Sequence, residues 1–207
     1  MIALKEPLTM IINNLFNDLE LIVGEKNIIT NSQDLKKYNK DWRGFYNNNC
    51  LCVLFPKNTN ILKKITTYCY EKDIKIVPQG GNTSLTGASV PSYNSKEIII
   101  NFAKMNKILE LDKSNLTVLV EPGLILDDLK EYLIKENLYF PIDLSSSGSC
   151  MIGGNIATNA GGINALKYGS MKENIIGLEI VTGDCLLYTS DAADEGLGVD
   201  LGGRRII

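Results

Sequence analysis

Two long segments of small residues, 78–91 and 141–162, constrain the fold of this 207-residue chain more than any other feature of its sequence. The first, PQGGNTSLTGASVP, directly follows a short apolar run that predicts a strand. The second, PIDLSSSGSCMIGGNIATNAGG, contains no charged side chain after Asp143. Glycine allows another group to approach the backbone without a Cβ in the way. Both segments are therefore candidates for binding a ligand.

The first segment has the composition of an anion-binding loop. Gly80 and Gly81 are predicted to allow positive φ, and successive backbone N–H groups in such a turn form a concave site for anions. Further neutral donors are Asn82, Thr83, Ser84 and Ser89. This segment contains no lysine, so it would hold an anion through backbone and side-chain dipoles, and a diphosphate ester is a ligand of that kind. The Walker lysine and the G-x-G-x-x-G fingerprint are both missing, and a tight turn of ordinary turn residues is the alternative.

The second segment has the composition of a surface pressed against a flat apolar ligand. A solvated loop would tolerate Lys or Glu, yet none occurs between Ser145 and Ala165. The residues small enough for a ring system to lie against the backbone are Gly153, Gly154, Ala157, Ala160, Gly161 and Gly162. Hydrogen bonds to the polar edges of the ring would come from Asn155, Thr158 and Asn159. A packing interface of small residues is the alternative.

The absence of histidine narrows the chemistry further. Histidine is the commonest general base and metal ligand near neutral pH, so a complete hydrolase or zinc enzyme on this chain alone is not expected. A net charge of -3 with scattered lysines argues against a nucleic-acid partner. Apolar runs far below roughly 20 residues argue against a transmembrane segment. Five cysteines without paired spacing, and no signal-peptide pattern, predict a cytoplasmic protein with reduced thiols. Peripheral membrane association of a full-length enzyme stays open.

Apolar periodicity predicts a fold of mixed helices and strands. Helices are predicted at residues 8–23, 32–40, 59–72 and 126–136, with Ser32 and Thr59 as N-caps of the second and third. Strands are predicted at 51–55, 74–77, 98–102 and 177–181, with a hairpin-like pair at 107–111 and 117–121. The order strand, helix, strand over residues 51–77 predicts a parallel pair joined by a helical crossover. Cys50 and Cys52 are predicted to be buried residues of a strand.

The segment 186–207 differs in composition from the rest of the chain. It contains no Lys and no Asn, while two of the three arginines, Arg204 and Arg205, fall in it. It resembles translated adapter or vector sequence, and we expect it to be a non-native tail. A flexible terminus rich in Gly and Asp is the alternative.

Together, the two small-residue segments resemble the FAD-binding domain of the vanillyl-alcohol oxidase and para-cresol methylhydroxylase (PCMH) flavoprotein family. The runs PQGGNTSLTGASVP and FPIDLSSSGSCMIGGNIATNAGG, the stretches 167–170 and 177–181, and the DWRG motif at 41–44 are similar to its D-2-hydroxyacid dehydrogenase branch. That branch includes D-2-hydroxyglutarate, D-lactate and glycolate-type enzymes. The resemblance covers residues 25 to 185 or so.

The resemblance implies the fold and the division into domains. The fold class is α+β, a two-subdomain PCMH-type FAD-binding fold with a small parallel βαβ subdomain and a larger mixed or antiparallel sheet with helices. The implied units are an N-terminal helical segment at 1–45, the FAD-binding domain at 46–185 and the atypical tail at 186–207. The C-terminal substrate or cap domain is expected to be absent.

The resemblance also implies which residues hold FAD. The FAD diphosphate would be wrapped by Pro78, Gln79, Gly80, Gly81, Asn82, Thr83, Ser84, Gly87 and Ser89. The flavin would be lined by Pro141, Gly148, Ser149, Gly153, Gly154, Ala157 and Asn159. Ile180 would contact the adenine end through its backbone. Some relatives bind flavin covalently through His or Cys. The chain has no histidine, which excludes a histidyl link. Cys150 is the thiol in the second loop, and a free buried cysteine is usually inert, so non-covalent FAD is expected.

The implied activity is oxidation of a small D-2-hydroxy acid to a 2-oxo acid. The C2 hydrogen would pass as a hydride to flavin N5 while a base takes the hydroxyl proton. The catalytic base and any metal ligands would lie in the absent C-terminal domain. The chain is therefore assigned no catalytic residue and no metal ligand, and it is not expected to be catalytically active alone. The electron acceptor is not assigned. Two alternatives stay open: another reductase of this fold, such as the NADPH-dependent enolpyruvyl sugar reductase, and a non-catalytic flavin-binding or electron-transfer module.

Overall fold

Helices and strands alternate along the first half of the chain, and β-hairpins follow in the second half. The computed structural model describes residues 8–93 and 96–191. The elements of the first half are α1 (Leu8–Val23), β1 (Ile28–Ile29), α2 (Ser32–Leu35), β2 (Val53–Leu54), α3 (Thr59–Glu71), β3 (Lys75–Gln79) and β4 (Glu97–Asn101). Those of the second half are β5 (Ile108–Asp112), β6 (Thr117–Val120), α4 (Leu126–Lys135), α5 (Ile152–Ala157), α6 (Ala165–Tyr168), β7 (Gly177–Val181) and β8 (Leu187–Asp191).

A four-stranded sheet with the order β1-β2-β4-β3 forms the centre of the first half. Strands β2, β4 and β3 run parallel, and β1 pairs antiparallel with β2. The predicted strand–helix–strand unit is present, but β4 lies between its two strands, so they are not direct neighbours. Every residue of β4 is buried, which suits a strand with a partner on each side and cover on both faces.

The two faces of this sheet enter different cores because successive side chains of a strand point in opposite directions. Ile98 and Ile100 pack with Leu19 of α1 and Ile65 of α3. Ile99 packs on the other face with a separate cluster. Cys50 and Cys52 are also both buried, one in each cluster, which confirms their predicted burial. Both precede strand β2, so the prediction that they are strand residues was wrong, and β2 is shorter than the predicted strand at 51–55.

The second half contains two antiparallel hairpins, β5–β6 and β7–β8, and a core around helix α4. The turn between β5 and β6 is organised by Asp112, whose carboxylate accepts hydrogen bonds from the N–H groups of Ser114 and Asn115. These bonds hold the pKa of Asp112 below its ordinary range. The core side chains are Leu124, Leu126, Leu129, Leu133, Ile142, Cys150, Ile152 and Met171. The α+β class is confirmed, and the larger sheet takes the form of two separate hairpins within the described residues.

Two predicted N-caps were wrong by one residue, although the helices begin at the predicted positions. Asn31, rather than Ser32, caps α2, and its side chain accepts a hydrogen bond of 2.9 Å from the N–H of Gln33. Asn58, rather than Thr59, caps α3 by accepting 2.9 Å from the N–H of Ile61. An asparagine oxygen satisfies an unpaired N–H of the first turn, which explains the choice. Helix α2 ends at Leu35, short of the predicted end at 40.

The fold continues past the predicted domain boundary at residue 185. Strand β8 pairs with the whole length of β7, and the turn between them contains Cys185 at φ 67°. Residues 192–207, the rest of the predicted tail, lie outside the described residues. The second small-residue segment also contains a short helix, α5, where a loop was predicted. Among the described helices, none has the length and apolarity to cross a bilayer.

Candidate cofactor-binding site

A buried polar network holds the loop that follows β3. Gln79 ends this strand and is 1% exposed. Its Nε2 donates to the carbonyl oxygens of Tyr38 (2.9 Å) and Ser89 (2.7 Å). Its Oε1 accepts a hydrogen bond of 3.1 Å from Nδ2 of Asn101. Both amide donors of Gln79 are therefore engaged within the protein and are not directed to a ligand.

A second set of side-chain bonds fixes the middle of the same loop. Asn82 has φ 54°, and its Nδ2 donates to the carbonyl oxygen of Lys40 at 2.8 Å. Its Oδ1 accepts from the hydroxyl of Ser89 at 2.8 Å. The hydroxyls of Ser84 and Thr86 are hydrogen-bonded to each other at 2.9 Å. Several polar side chains predicted to wrap a diphosphate are thus used to shape the loop.

The backbone of the loop supplies the unpaired donors. The five consecutive residues 80–84 are half-buried, and none of their N–H groups donates to an acceptor within the described residues. Consecutive N–H groups of this kind bind anions through their dipoles, without a cationic side chain. The arrangement fits the diphosphate of a dinucleotide.

The glycines of the loop have a different role from the one predicted. Gly80 and Gly81 do not adopt positive φ, whereas Asn82 and Gly87 do. The Gly81 position is restricted by space, because a Cβ there would lie 1.9 Å from the carbonyl oxygen of Ser149. A Cβ on Gly87 would lie 2.4 Å from the Tyr46 ring. Gly81 is therefore a point at which the first small-residue segment touches the second.

The second segment presents one open face. A Cβ on Gly153 would lie 2.8 Å from Cβ of Pro122, and the Gly153 N–H donates to the Pro122 carbonyl at 2.8 Å. A Cβ on Gly148 would lie 3.5 Å from the Asp127 carboxylate. Gly154 differs, since among the described residues no atom beyond its chain neighbours and the backbone of its own helix lies within 4 Å of its Cβ position. Its exposed face on α5 is the one against which a ring system could lie.

The end of this segment is anchored by Asn159, which has φ 50°. Its Oδ1 accepts from the Ser170 hydroxyl (2.7 Å) and from the N–H of Lys172 (2.8 Å). The single hydroxyl proton of Ser170 is shared between Asn159 and the carboxylate of Glu173, and the Ser170 N–H donates to the same carboxylate at 2.8 Å. These bonds lower the pKa of the Glu173 carboxyl. Asn159 therefore supports the loop through its side-chain oxygen.

Other predicted positions lie around these loops. Pro141 accepts 3.1 Å from Asn164 Nδ2 through its carbonyl oxygen. Cys150 is 2% exposed and belongs to the hydrophobic core around helix α4. Its sulfur accepts a hydrogen bond of 3.4 Å from Nδ2 of Asn155. Ile180 is half-buried on β7 and pairs with Tyr188. Ile180 is not joined to either loop by a hydrogen bond within the described residues.

The sequence reasoning missed Asn101, which ends β4 beside Gln79 and binds it directly. The signal was available, because a polar residue follows an uninterrupted apolar run at the carboxyl end of a parallel strand. In such sheets ligands bind beyond the carboxyl ends of the strands. Among the described residues, no group of three or more Cys, Asp or Glu side chains is placed to hold a metal ion.

Residues 50–190 match the family model described as FAD binding domain. The chain is 40% identical over 182 residues to the mitochondrial D-2-hydroxyglutarate dehydrogenase of Arabidopsis thaliana, covering 87% of this chain and 32% of that protein. It is 38% identical over 178 residues to a D-2-hydroxyglutarate–pyruvate transhydrogenase of Saccharomyces cerevisiae, covering 84% of this chain and 36% of that protein. The chain thus spans about a third of the length of these relatives.

The fold is shared with solved flavoprotein structures. The crystal structure of p-cresol methylhydroxylase with substrate bound superposes with a TM-score of 0.73 at 21% identity, over 88% of this chain and 36% of that one. At this identity the likeness concerns the fold alone. It confirms the PCMH-type architecture expected from the sequence.

Proposed function

The chain belongs to the family of FAD binding domains, and on that basis we propose that it is the cofactor-binding part of a longer dehydrogenase that oxidises a D-2-hydroxy acid to the 2-oxo acid. The family confirms FAD as the expected cofactor. Two relatives whose names specify D-2-hydroxyglutarate support that compound as the substrate of the longer protein.

One observation carries the proposal. Five consecutive backbone N–H groups, at 80–84, have no acceptor within the described residues, and they lie where the first loop meets the second at Gly81. A diphosphate satisfies unpaired donors of this kind, and the open face at Gly154 suits the attached ring system. The residues present therefore fit FAD.

The proposed roles of the residues follow from their contacts. The backbone of 80–84 would hold the diphosphate, and the surface at Gly154 and Ala157 would receive the ring. Gln79, Asn82, Ser89 and Asn159 would shape these loops through the internal hydrogen bonds described above. FAD, when bound, supplies a hydride acceptor for the substrate C2 hydrogen. The chain contains no histidine, and we assign it binding and orientation only.

The first experiment measures FAD binding by the whole chain. We expect saturable binding with quenching of flavin fluorescence, and release of the yellow colour into the supernatant on acid precipitation. Absence of saturable binding by a chain shown to be folded by circular dichroism would contradict the proposal. Colour retained in the pellet would contradict non-covalent binding.

The second experiment adds D-2-hydroxyglutarate to the FAD complex without oxygen. We expect the flavin absorbance to persist, because the base is not on this chain, and to bleach with dithionite as a positive control. Bleaching by the hydroxy acid would place the catalytic base here and overturn the division of roles. Bleaching by NADPH would instead favour a reductase of the same fold.

The location of the protein in the cell stays a prediction. The composition predicts a cytoplasmic protein, while the Arabidopsis relative is named mitochondrial. Cell fractionation with an antibody to the chain distinguishes the two compartments.

A further inference from the structure

We propose that a buried amide pair, Gln79 and Asn101, sets the position of the diphosphate-binding backbone at 80–84 without contacting the ligand itself. The inference rests on the proposed function, since it concerns how the same loop is held for FAD. It assigns a positioning role to Asn101 and to the side chain of Gln79, a residue that the resemblance placed among those wrapping the diphosphate.

The two residues lie side by side at the carboxyl ends of adjacent parallel strands. Gln79 of β3 is in register with Asn101 of β4, and the next residue after Gln79 begins the loop. Gln79 is 1% and Asn101 is 4% exposed. Two amides with so little exposure are stabilising only when their polar atoms are paired, because an unpaired buried donor or acceptor is costly.

The side-chain amide groups of Gln79 and Asn101 have hydrogen-bond partners for all their nitrogen and oxygen atoms. Gln79 Nε2 donates to the carbonyl oxygens of Tyr38 and Ser89, while its Oε1 accepts from Asn101 Nδ2. Asn101 Nδ2 also donates to the carbonyl oxygen of Gly80 at 3.3 Å. Asn101 Oδ1 accepts from the N–H of Ala103 at 3.0 Å. Every donor of the pair thus goes to the protein backbone or to its partner amide.

These bonds join the two ends of the loop. Gly80 stands at its start and Ser89 near its end, and both carbonyl oxygens are held by the same amide pair. A carbonyl turned inward directs the N–H of the same peptide plane the opposite way, because the peptide unit is planar. The Gly80 carbonyl shares its peptide plane with the N–H of Gly81, so the pair favours a Gly81 N–H that faces out of the loop before any ligand arrives. Such preorganisation raises affinity by removing the ordering that binding would otherwise require.

The test replaces Gln79 by Met in the whole chain, which keeps the length of the side chain and removes both donors and the acceptor. Gln33, exposed on α2, offers a matched control as Gln33→Met. FAD is titrated by fluorescence, ADP competes as the diphosphate without the flavin, and the absorbance spectrum of the saturated FAD complex reports the ring environment.

We expect Gln79→Met to raise the Kd for FAD and the inhibition constant for ADP at least tenfold, with the spectrum of the saturated complex unchanged. Gln33→Met should change neither constant by more than twofold. A folded Gln79→Met chain with wild-type constants would overturn the inference. So would a changed flavin spectrum with unchanged ADP binding, since Gln79 would then act on the ring.

A second variant covers the case in which Gln79→Met does not fold. Asn101→Ser removes the two amide donors and keeps a hydroxyl that can accept from the Ala103 N–H. We expect at least a threefold rise in both constants, and values unchanged from wild type would overturn the inference. If both variants fail to fold, the pair serves folding as a whole and the inference is wrong. Failure of the wild-type chain to bind FAD tests the proposed function instead.

Discussion

Replacing Gly81 by alanine should separate the two small-residue loops. A Cβ at this position would lie 1.9 Å from the carbonyl oxygen of Ser149, 2.9 Å from its carbonyl carbon and 3.2 Å from Cα of Cys150. Real Cβ atoms essentially never approach closer than 3.0 Å. The loops must therefore move apart by about 1 Å, and the neighbours in the way are backbone atoms that cannot rotate aside.

The second loop cannot retreat freely. Ser149 donates through its N–H to the Ser146 carbonyl at 2.9 Å, and the Cys150 carbonyl accepts from the N–H of Leu126 at 3.1 Å. Overpacking of this kind typically costs about 1–3 kcal/mol, and each backbone hydrogen bond lost adds about 1 kcal/mol. We expect the free energy of unfolding to fall by about 2–3 kcal/mol. We expect FAD affinity to fall tenfold or more, about 1.4 kcal/mol.

Urea unfolding measures the first effect and FAD titration the second. A lower midpoint with an unchanged slope would identify a loss of stability without a change in the denatured state. Gly183→Ala is the matched control, because among the described residues no atom beyond its chain neighbours lies within 4 Å of a Cβ at that exposed turn position. It should stay within about 0.5 kcal/mol of wild type. If Gly81→Ala matched Gly183→Ala in both assays, the steric argument would be refuted.

Three further predictions follow from the same geometry. Gly154→Ala should leave the free energy of unfolding unchanged or raise it by up to about 1 kcal/mol, since alanine has a higher helix propensity than glycine. FAD affinity should fall at least fivefold, because the added methyl group enters the proposed ligand face. Among the five thiols, Cys185 alone should react quickly with iodoacetamide at pH 8, because the other four are buried. Burial raises the pKa of Cys69, for example, to about 12. Mass spectrometry follows the labelling, and fast labelling of a second thiol would contradict this prediction. Glu173→Gln should lower the melting temperature at pH 7, because hydrogen bonds from Ser170 depress the pKa of this carboxyl in the folded protein. The difference in melting temperature from wild type should shrink as the pH falls below the ordinary glutamate range and through the depressed pKa. A difference that does not depend on pH would refute the assignment.

Local patterns were sufficient for some of the regular elements. The apolar spacing of residues 8–23 and the alternation of 177–181 predicted α1 and β7 with the bounds observed. The hairpin β5–β6 was also predicted, because Asp112 and its neighbours carry the turn within a few residues. The helix caps were missed by one residue, since Asn, Ser and Thr adjoin there and all three favour the cap position.

The position of β4 between β2 and β3 could not be read from any local pattern. Its apolar run predicts a buried strand, but the choice of neighbours depends on pairing between residues far apart in the chain. The same limit applies to Gly81, where the controlling atom is the Ser149 carbonyl in the second loop. The sequence indicated that glycine was required there and predicted the wrong reason.

The sequence by itself predicted the class of ligand, because the two small-residue segments together resemble an FAD-binding domain, and the family match supports FAD. That these two segments hold the ligand stays a prediction. Tertiary structure decided which atoms are free to bind. It directs the side chains of Gln79, Asn82 and Ser89 toward the protein, and it leaves the N–H groups of 80–84 without an acceptor among the described residues. A polar group can bind a ligand only when no neighbour already satisfies it, and those neighbours are supplied by distant parts of the chain.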